Sequence, residues 1–273
     1  MFVLYDNAAS VAAQKVRVTL AEKGLAWTTV AIDLRNGEVM QPQYLALNPR
    51  GVVPTLVHDG VALTESSVII EYLDDLVPRP QLRPASALAR ATMRGWMRRI
   101  DDDIHRAIGN VSMAIYIRHA HLAKPQAERD AHFATMPDRD RAERQQAAIA
   151  AGTQAPAFAP SIRALAGLVD DIDRAVENGD WLAGDMFSLA DIAAAPYITR
   201  LDMLAMNPLW ADGRRPAFAR WWQRNQARPS WQQQVQGAFP APARARMKAC
   251  GQVAWPAVAN LLGLPAPIRL DGN

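Results

Sequence analysis

The chain has 273 residues, half of them hydrophobic, 21% charged and 7% aromatic, enough for one large domain or two smaller ones of ordinary globular composition. Its formal net charge of +3 is spread over many arginines rather than gathered in one tract, which argues against a nucleic-acid partner. With Cys250 the single cysteine, no apolar run of the roughly 18–20 residues that a membrane span needs, and no basic-then-apolar leader at Met1–Asp6, the expectation is a cytoplasmic protein without disulfides, a cysteine-rich metal site or a membrane partner.

Phe2 to Tyr5 reads as a short buried strand. Ser10 to Lys23 reads as a helix with Val16, Leu20 and Ala21 as its apolar stripe and Gly24 as its stop. Trp27 to Ile32 reads as a second strand. Thr55 to His58 and Val61 to Thr64 flank Asp59-Gly60, a two-residue hairpin signal. Ser66 to Leu76 reads as a helix ended by Pro78 and Pro80. This order is α/β, with a parallel pair and an antiparallel hairpin in one small sheet. Pro78, Pro80 and Pro84 then mark a linker over 78–84.

Beyond the linker no strand pattern recurs, so the second part is predicted to be all-helical. Trp96, Ile100, Ile104, Ile108, Val111 and Ile115 follow three-to-four spacing and predict one long amphipathic helix. Further helices are predicted near 138–150, 161–178, 188–206, 216–227 and 230–236. The stretch 240–273, rich in Pro and Ala, predicts an irregular tail. The expected organisation is therefore 1–77, the linker 78–84, a helical domain 85–239 and the tail.

The most informative stretch is Asn48-Pro49-Arg50-Gly51-Val52-Val53-Pro54-Thr55-Leu56, followed by Thr64-Glu65-Ser66-Ser67. Proline is tolerated at the start of a strand. Were the Val53–Pro54 bond cis, Val53 would turn its N–H and C=O outward, where an extended peptide can pair as an added strand; an ordinary trans turn is the alternative. Backbone N–H groups at a helix start attract a carboxylate, Ser66 adds a donor, and Glu65 can take an ammonium group. Simple capping by Thr64 or Ser66 is the alternative there. Together the two stretches suit a small peptide with charged ends, which makes glutathione the first ligand to consider.

Ser10 opens the first helix, where its hydroxyl can either cap the helix or donate to a bound thiolate. A hydrogen bond to a charged acceptor is worth about 1.5–3 kcal/mol, which lowers a thiol pKa by roughly one to two. Ser188-Leu189-Ala190-Asp191 is a capping box, with Phe187 and Ile192 placed as a hydrophobic staple; it reports the fold rather than the chemistry. His119 and His121 lack an acidic partner at ligand spacing, so no metal site is expected. Phosphate-loop, dinucleotide and nucleophile-elbow motifs are absent.

Asn48 to Pro54, Thr64-Glu65-Ser66 and Phe187 to Ile192 together resemble the soluble glutathione transferases over about residues 1–236. The resemblance implies a thioredoxin-like N-terminal domain, an all-helical C-terminal domain and a homodimer. It also implies a cis Pro54, backbone pairing of glutathione with Val53, and a γ-glutamyl head held by Glu65 and Ser66. Ser10 falls where serine-type members carry the thiol-activating hydroxyl and cysteine-type members their cysteine, which favours transferase over thiol–disulfide chemistry. Tyr5, inside the first strand, is the runner-up activator. Leu82-Arg83-Pro84-Ala85 and Met93-Arg94-Gly95-Trp96 are similar to the bacterial β-aryl-etherase-like branch, except that Ala12 and Ala13 stand where that branch has an Asn-Ser pair.

The expected function is glutathione transfer to a hydrophobic, aromatic electrophile, with β-aryl ether cleavage as one form of it. A substrate would sit between the N-terminal domain and the long helix, with Trp96, Asp103, Asn110 and Met113 as candidate wall residues. Two alternatives share the fold. One is a non-catalytic binding or scaffold protein. The other is a glutathione-dependent peroxidase, which Ser10 also permits.

Overall fold

The computed structural model describes residues 1–211 and 213–264. The chain begins with β1 (Phe2–Asp6), α1 (Val11–Glu22), β2 (Trp27–Ala31), a one-turn helix at Glu38–Met40 and α2 (Pro42–Leu45). It continues with β3 (Thr55–His58), β4 (Val61–Leu63) and α3 (Ser66–Leu76). The four strands form one sheet in the order β2-β1-β3-β4. β1 runs parallel to β2, and antiparallel to β3, with Leu4 opposite Leu56 and Tyr5 opposite Thr55. β3 and β4 form the predicted hairpin, with Leu56 opposite Leu63. Asp59 and Gly60 both hold positive φ, 48° and 85°, as a hairpin turn of this length requires.

α1 is bounded by local chemistry at both ends. Ser10 caps its start by accepting from the Ala13 N–H at 3.2 Å. At its end Gly24 takes φ +63°, while Gly24 N–H bonds the Ala21 carbonyl and Leu25 N–H the Leu20 carbonyl, the two bonds of a Schellman stop. The predicted stripe was too narrow: every residue from Val11 to Leu20 is buried and Ala21 is not. The helix lies between α3 and α10 (Leu189–Met203) of the second half, so no face of it is left to water.

The helical half begins with α4 (Ala87–Arg99), α5 (His105–Ser112) and α6 (Arg118–Leu122), joined by π-helical turns at Ile100–Ile104 and Met113–Ile117. This is the predicted long helix, and Ile100, Ile104, Ile108, Val111 and Ile115 of its stripe are at most 3% exposed. Next come α7 (Gln126–Ala134), α8 (Arg139–Ala151), α9 (Phe158–Ala175), α10, α11 (Pro216–Ala227) and α12 (Pro229–Trp231), which runs on into a π turn at Gln232–Gln236. α7 was not anticipated, because Phe133 is its one buried residue and so it carries no stripe.

The irregular tail is a correction. Residues Ala241–Leu262 form α13, packed on α9, α10 and the Met113–Ile117 turn. Pro242 lies in its first turn, where no N–H is missed. Met247, Gly251, Ala254, Trp255 and Val258 form its buried face. The last nine residues of the expected tail lie outside the described residues.

One apolar core crosses both halves, from Leu4, Leu56, Ile69 and Leu73 to Ile162, Tyr197, Phe218 and Trp221. Asp191 anchors its centre. It completes the capping box with Ser188 and accepts from Leu182 N–H, Ser188 N–H, Ser188 Oγ and Trp221 Nε1 at 2.8–3.0 Å. Burial outweighs these donors and pushes its carboxyl up to about 6.

Candidate functional site

The sheet register gathers three loops. Tyr5 faces Thr55, so the chain leaving β1 toward Ser10 emerges beside the chain entering β3 at Pro54. Leu63 faces Leu56, so the chain leaving β4 toward Glu65 emerges at the same end. Residues 10, 53–54 and 65–66 thus meet at one end of the sheet, although 56 positions separate the first from the last.

The Val53–Pro54 peptide is cis. Asn48, 1% exposed, shapes the turn before it, donating through Nδ2 to the Val52 carbonyl at 2.8 Å and to Thr55 Oγ at 3.2 Å. Tyr44 donates its hydroxyl to the same carbonyl at 2.6 Å. Gly51 turns at φ +60°, and a Cβ there would meet Met40 Sδ at 3.0 Å. Among the described residues nothing hydrogen-bonds the N–H or C=O of Val53. Its side chain is 8% exposed and packs with Ile32, Val39 and Tyr44. The result is a rigid strand start with an unpaired backbone edge.

Glu65 precedes α3 at φ +64°, a conformation that costs a non-glycine residue about 1–3 kcal/mol and concentrates at functional sites. Its carboxylate pairs with Arg50, both side chains more than half exposed. Ser66 and Ser67 open α3 with no side-chain cap bond, leaving its first N–H groups free for an anion. Beneath them Lys15, fully buried, reaches Asp101 Oδ1 at 2.8 Å and Ser67 Oγ at 3.4 Å. Burial lowers the Lys15 ammonium below its ordinary value, and Asp101 opposes that shift.

Ser10 sits in a turn held from several sides. Asn7 accepts from Ala9 N–H at 3.0 Å and donates to the Ile32 carbonyl at 2.9 Å. Arg17, paired with Asp6 at 2.6 Å, reaches the Ala8 carbonyl at 3.2 Å. Arg200 of α10 donates to the Ala9 carbonyl. The first turn of α1 carries no acidic residue, so its positive end is uncompensated beside Ser10. Ala12 and Ala13 are both buried. Tyr5 packs edge-on against Tyr44, ring centroids 5.9 Å apart.

The four candidate wall residues do not surround one space. Asp103 and Asn110 line a cleft of about 450 Å³ against Ala157, Ser161 and Ala164 of the α9 region, where Asn110 donates to Ser161 Oγ at 3.1 Å. Trp96 stacks with Arg99, 5.6 Å from its ring, and Met113 is core, 4% exposed. Two residues of the long helix connect to α1 and the turn before it by hydrogen bonds: Asp101 accepts from Lys15, and Ser112 accepts from Arg200, which donates to the Ala9 carbonyl. His105, one turn from Asp101, bonds Tyr197 at 3.0 Å. His105 as a residue is exposed, yet desolvation of its imidazole, then the charges of Lys15 and Arg141, lowers it to about 4. The spacing had identified the helix, but spacing alone does not say which neighbour each face meets.

Arg50, Lys15, Asp101 and Arg200 were missed. Arg50 lay inside the quoted loop stretch. Lys15 and Arg200 carry a faint signal, each a charge inside an apolar helical run. Among the described residues no group of acidic, histidine or cysteine side chains could hold a metal ion, and no helix is long and apolar enough to cross a membrane.

Residues 9–76 match the family model for the glutathione S-transferase N-terminal domain, and residues 124–229 the model for its C-terminal domain. Protein LigF of Sphingobium sp. strain NBRC 103272 / SYK-6 is 38% identical over 117 residues, 42% of this chain and 46% of that protein. Maleylacetoacetate isomerase of Pseudomonas aeruginosa PAO1 is 43% identical over 105 residues, 37% of this chain and 50% of that protein. The chain thus spans about half the length of these curated relatives. In three dimensions the crystal structure of β-etherase LigF from Sphingobium sp. strain SYK-6 superposes with a TM-score of 0.78 at 27% identity, covering 86% of this chain and 99% of that one. The thioredoxin-like sheet with its helical partner, the two matched halves and the cis-proline edge agree on one assignment: the chain belongs to the glutathione S-transferase family.

Proposed function

We propose that the protein is a glutathione transferase whose Ser10 stabilises the glutathione thiolate for attack on a hydrophobic, aromatic electrophile. The observation that carries this is the convergence of three elements at one end of the sheet. The unpaired backbone of Val53 can bond the cysteinyl unit of the peptide. Glu65 and Ser66 face its amino-acid head, and Ser10 stands at the positive end of α1. The thiol's proton passes to water, and the thiolate forms a carbon–sulfur bond. In an aryl ether the carbon–oxygen bond breaks and a phenolate leaves, taking up a proton. Likeness to a β-etherase makes aryl ethers the first substrates to test.

Within this reading 1–77 is the glutathione domain, 85–239 the substrate domain, and a homodimer the assembly. Val68 on α3 and Leu88 on α4, 58% and 81% exposed, supply apolar surface for a second copy; Arg94 and Glu71 join the two helices. Light scattering at twice the chain mass, reduced by Val68→Asp, is the expected outcome.

Calorimetric titration with glutathione tests the core of the proposal. Saturable binding by the wild type, weakened about tenfold or more by Glu65→Ala through loss of a charged hydrogen bond, is expected. Absence of binding by the wild type would remove the transferase reading.

A further inference from the structure

Arg200 is a buried cation without a counter-ion. Its side chain is 7% exposed. Nη1 donates to Ser112 Oγ at 3.1 Å, and Nη2 donates to the Ala9 carbonyl. Nε is buried with no hydrogen-bond partner. No carboxylate pairs with the guanidinium among the described residues. Asp6, at the end of β1, is taken by Arg17. Asp202, on α10 itself, is influenced by Lys248 and Arg244. Burial lowers the Arg200 guanidinium to about 10, and the Tyr116 phenol, from the helix that carries Ser112, opposes that shift.

Arg17 supplies an internal contrast. It grips the carbonyl one residue earlier, but Asp6 neutralises it at 2.6 Å. Two arginines therefore hold the same turn, and one of them brings net charge. Burying an unpaired guanidinium is unfavourable. Hydrogen bonds to a carbonyl and a hydroxyl need no charge and do not account for it. An anion arriving nearby does. Ala9 is directly followed by Ser10, so a thiolate at Ser10 would lie roughly one peptide unit from the Arg200 contact.

We propose that Arg200 is a positioning residue for the glutathione thiolate: it fixes the Ala9–Ser10 turn and supplies the positive charge that the anion there requires. The inference rests on the transferase reading and extends it to a residue of the helical half. A unit charge several ångströms away at intermediate dielectric changes an ionisation equilibrium by about tenfold.

The test follows the ultraviolet thiolate absorbance of the glutathione complex against pH for the full-length wild type, Arg200→Met, Arg200→Lys and Ser112→Asp. Calorimetry measures glutathione affinity in parallel. Ser112→Asp leaves the guanidinium in place and neutralises it. The expected result, with affinity measured below the wild-type midpoint where bound glutathione is mostly thiol, is affinity retained within about threefold in every variant. Below the wild-type midpoint, thiolate falls about tenfold in Arg200→Met and in Ser112→Asp and stays within about threefold in Arg200→Lys. Unchanged titration in Arg200→Met or Ser112→Asp, with glutathione bound, overturns the inference while leaving the transferase reading intact. If Arg200→Met does not fold, Ser112→Asp decides alone. No glutathione binding by the wild type overturns both.

Discussion

At the scale of single residues, Ser10 joins an observed role to a proposed one, and its loss to alanine removes both together. Its hydroxyl caps α1 through Ala13 at 3.2 Å, and the same hydroxyl is the proposed thiolate donor. Ser10→Ala should cost about 0.5–2 kcal/mol of stability through the lost cap and also raise the bound thiol's pKa. Ser10→Asp should keep the cap, because aspartate accepts from a helix N–H as well as serine does. It should abolish thiolate formation, because it sets a like charge beside the sulfur. Urea unfolding and thiolate absorbance on both variants read the two roles apart. Loss of thiolate in neither variant would remove Ser10 from the chemistry. The placement of Ser10, Val53, Pro54, Glu65 and Ser66 at strand and helix ends was legible because local sequence marks such ends. Lys15 and Arg200 were not, since their partners Asp101 and Ala9 stand 86 and 191 positions away, and no local pattern encodes such pairs.

At the scale of elements, legibility followed amphipathic contrast. α3 was read to the residue, Ser66–Leu76, since its buried face is Ile69, Ile70 and Leu73. α13 was missed because Pro242, Pro256 and its many alanines blur the apolar stripe, and its tightest contact depends on a missing side chain. Gly251 shows why. A Cβ built there would stand 1.7 Å from the Leu204 carbonyl oxygen at the end of α10, so the two backbones meet with no room for a side chain. Gly251→Ala gains roughly 1 kcal/mol of helix propensity, but that cannot offset a backbone clash. The helix must shift off α10, at a cost of about 2–4 kcal/mol. Gly109→Ala in α5, where nothing lies within 4 Å of the new Cβ, should instead stabilise by about 0.5–1 kcal/mol. Thermal unfolding of the pair should give shifts of opposite sign. Faster proteolysis within 240–264 of Gly251→Ala would locate its defect, and an unshifted melting temperature would disprove the tight seam.

At the scale of the whole molecule, the proline cluster and the end of strand patterning made the division into two halves legible, but not what binds them. Part of that is polar. Arg228, just before α12, pairs with Glu22 of α1 at 2.7 Å, and Ser230 donates to the same carboxylate at 2.5 Å. Burial alone would raise the Glu22 carboxyl. The bonds from Arg228 and Ser230, with the Arg228 charge, outweigh it and hold the group below its ordinary value of 4.5. A carboxyl depressed on folding stabilises fully above its unfolded pKa and loses that contribution as pH falls through its folded one. Asp191, raised by burial to about 6, acts in the opposite sense and destabilises as pH climbs from about 4 to 6. Total stability against pH therefore mixes the two. A comparison of wild type with Glu22→Gln cancels Asp191 and isolates the latch. At pH 7 the variant should be less stable by about 1–3 kcal/mol, because Arg228 loses its charged partner. That gap should narrow as pH drops below about 4.5 and close once Glu22 is protonated in both states. Urea midpoints across this range give the gap directly; a gap independent of pH would mean that Glu22 contributes by packing and not by charge.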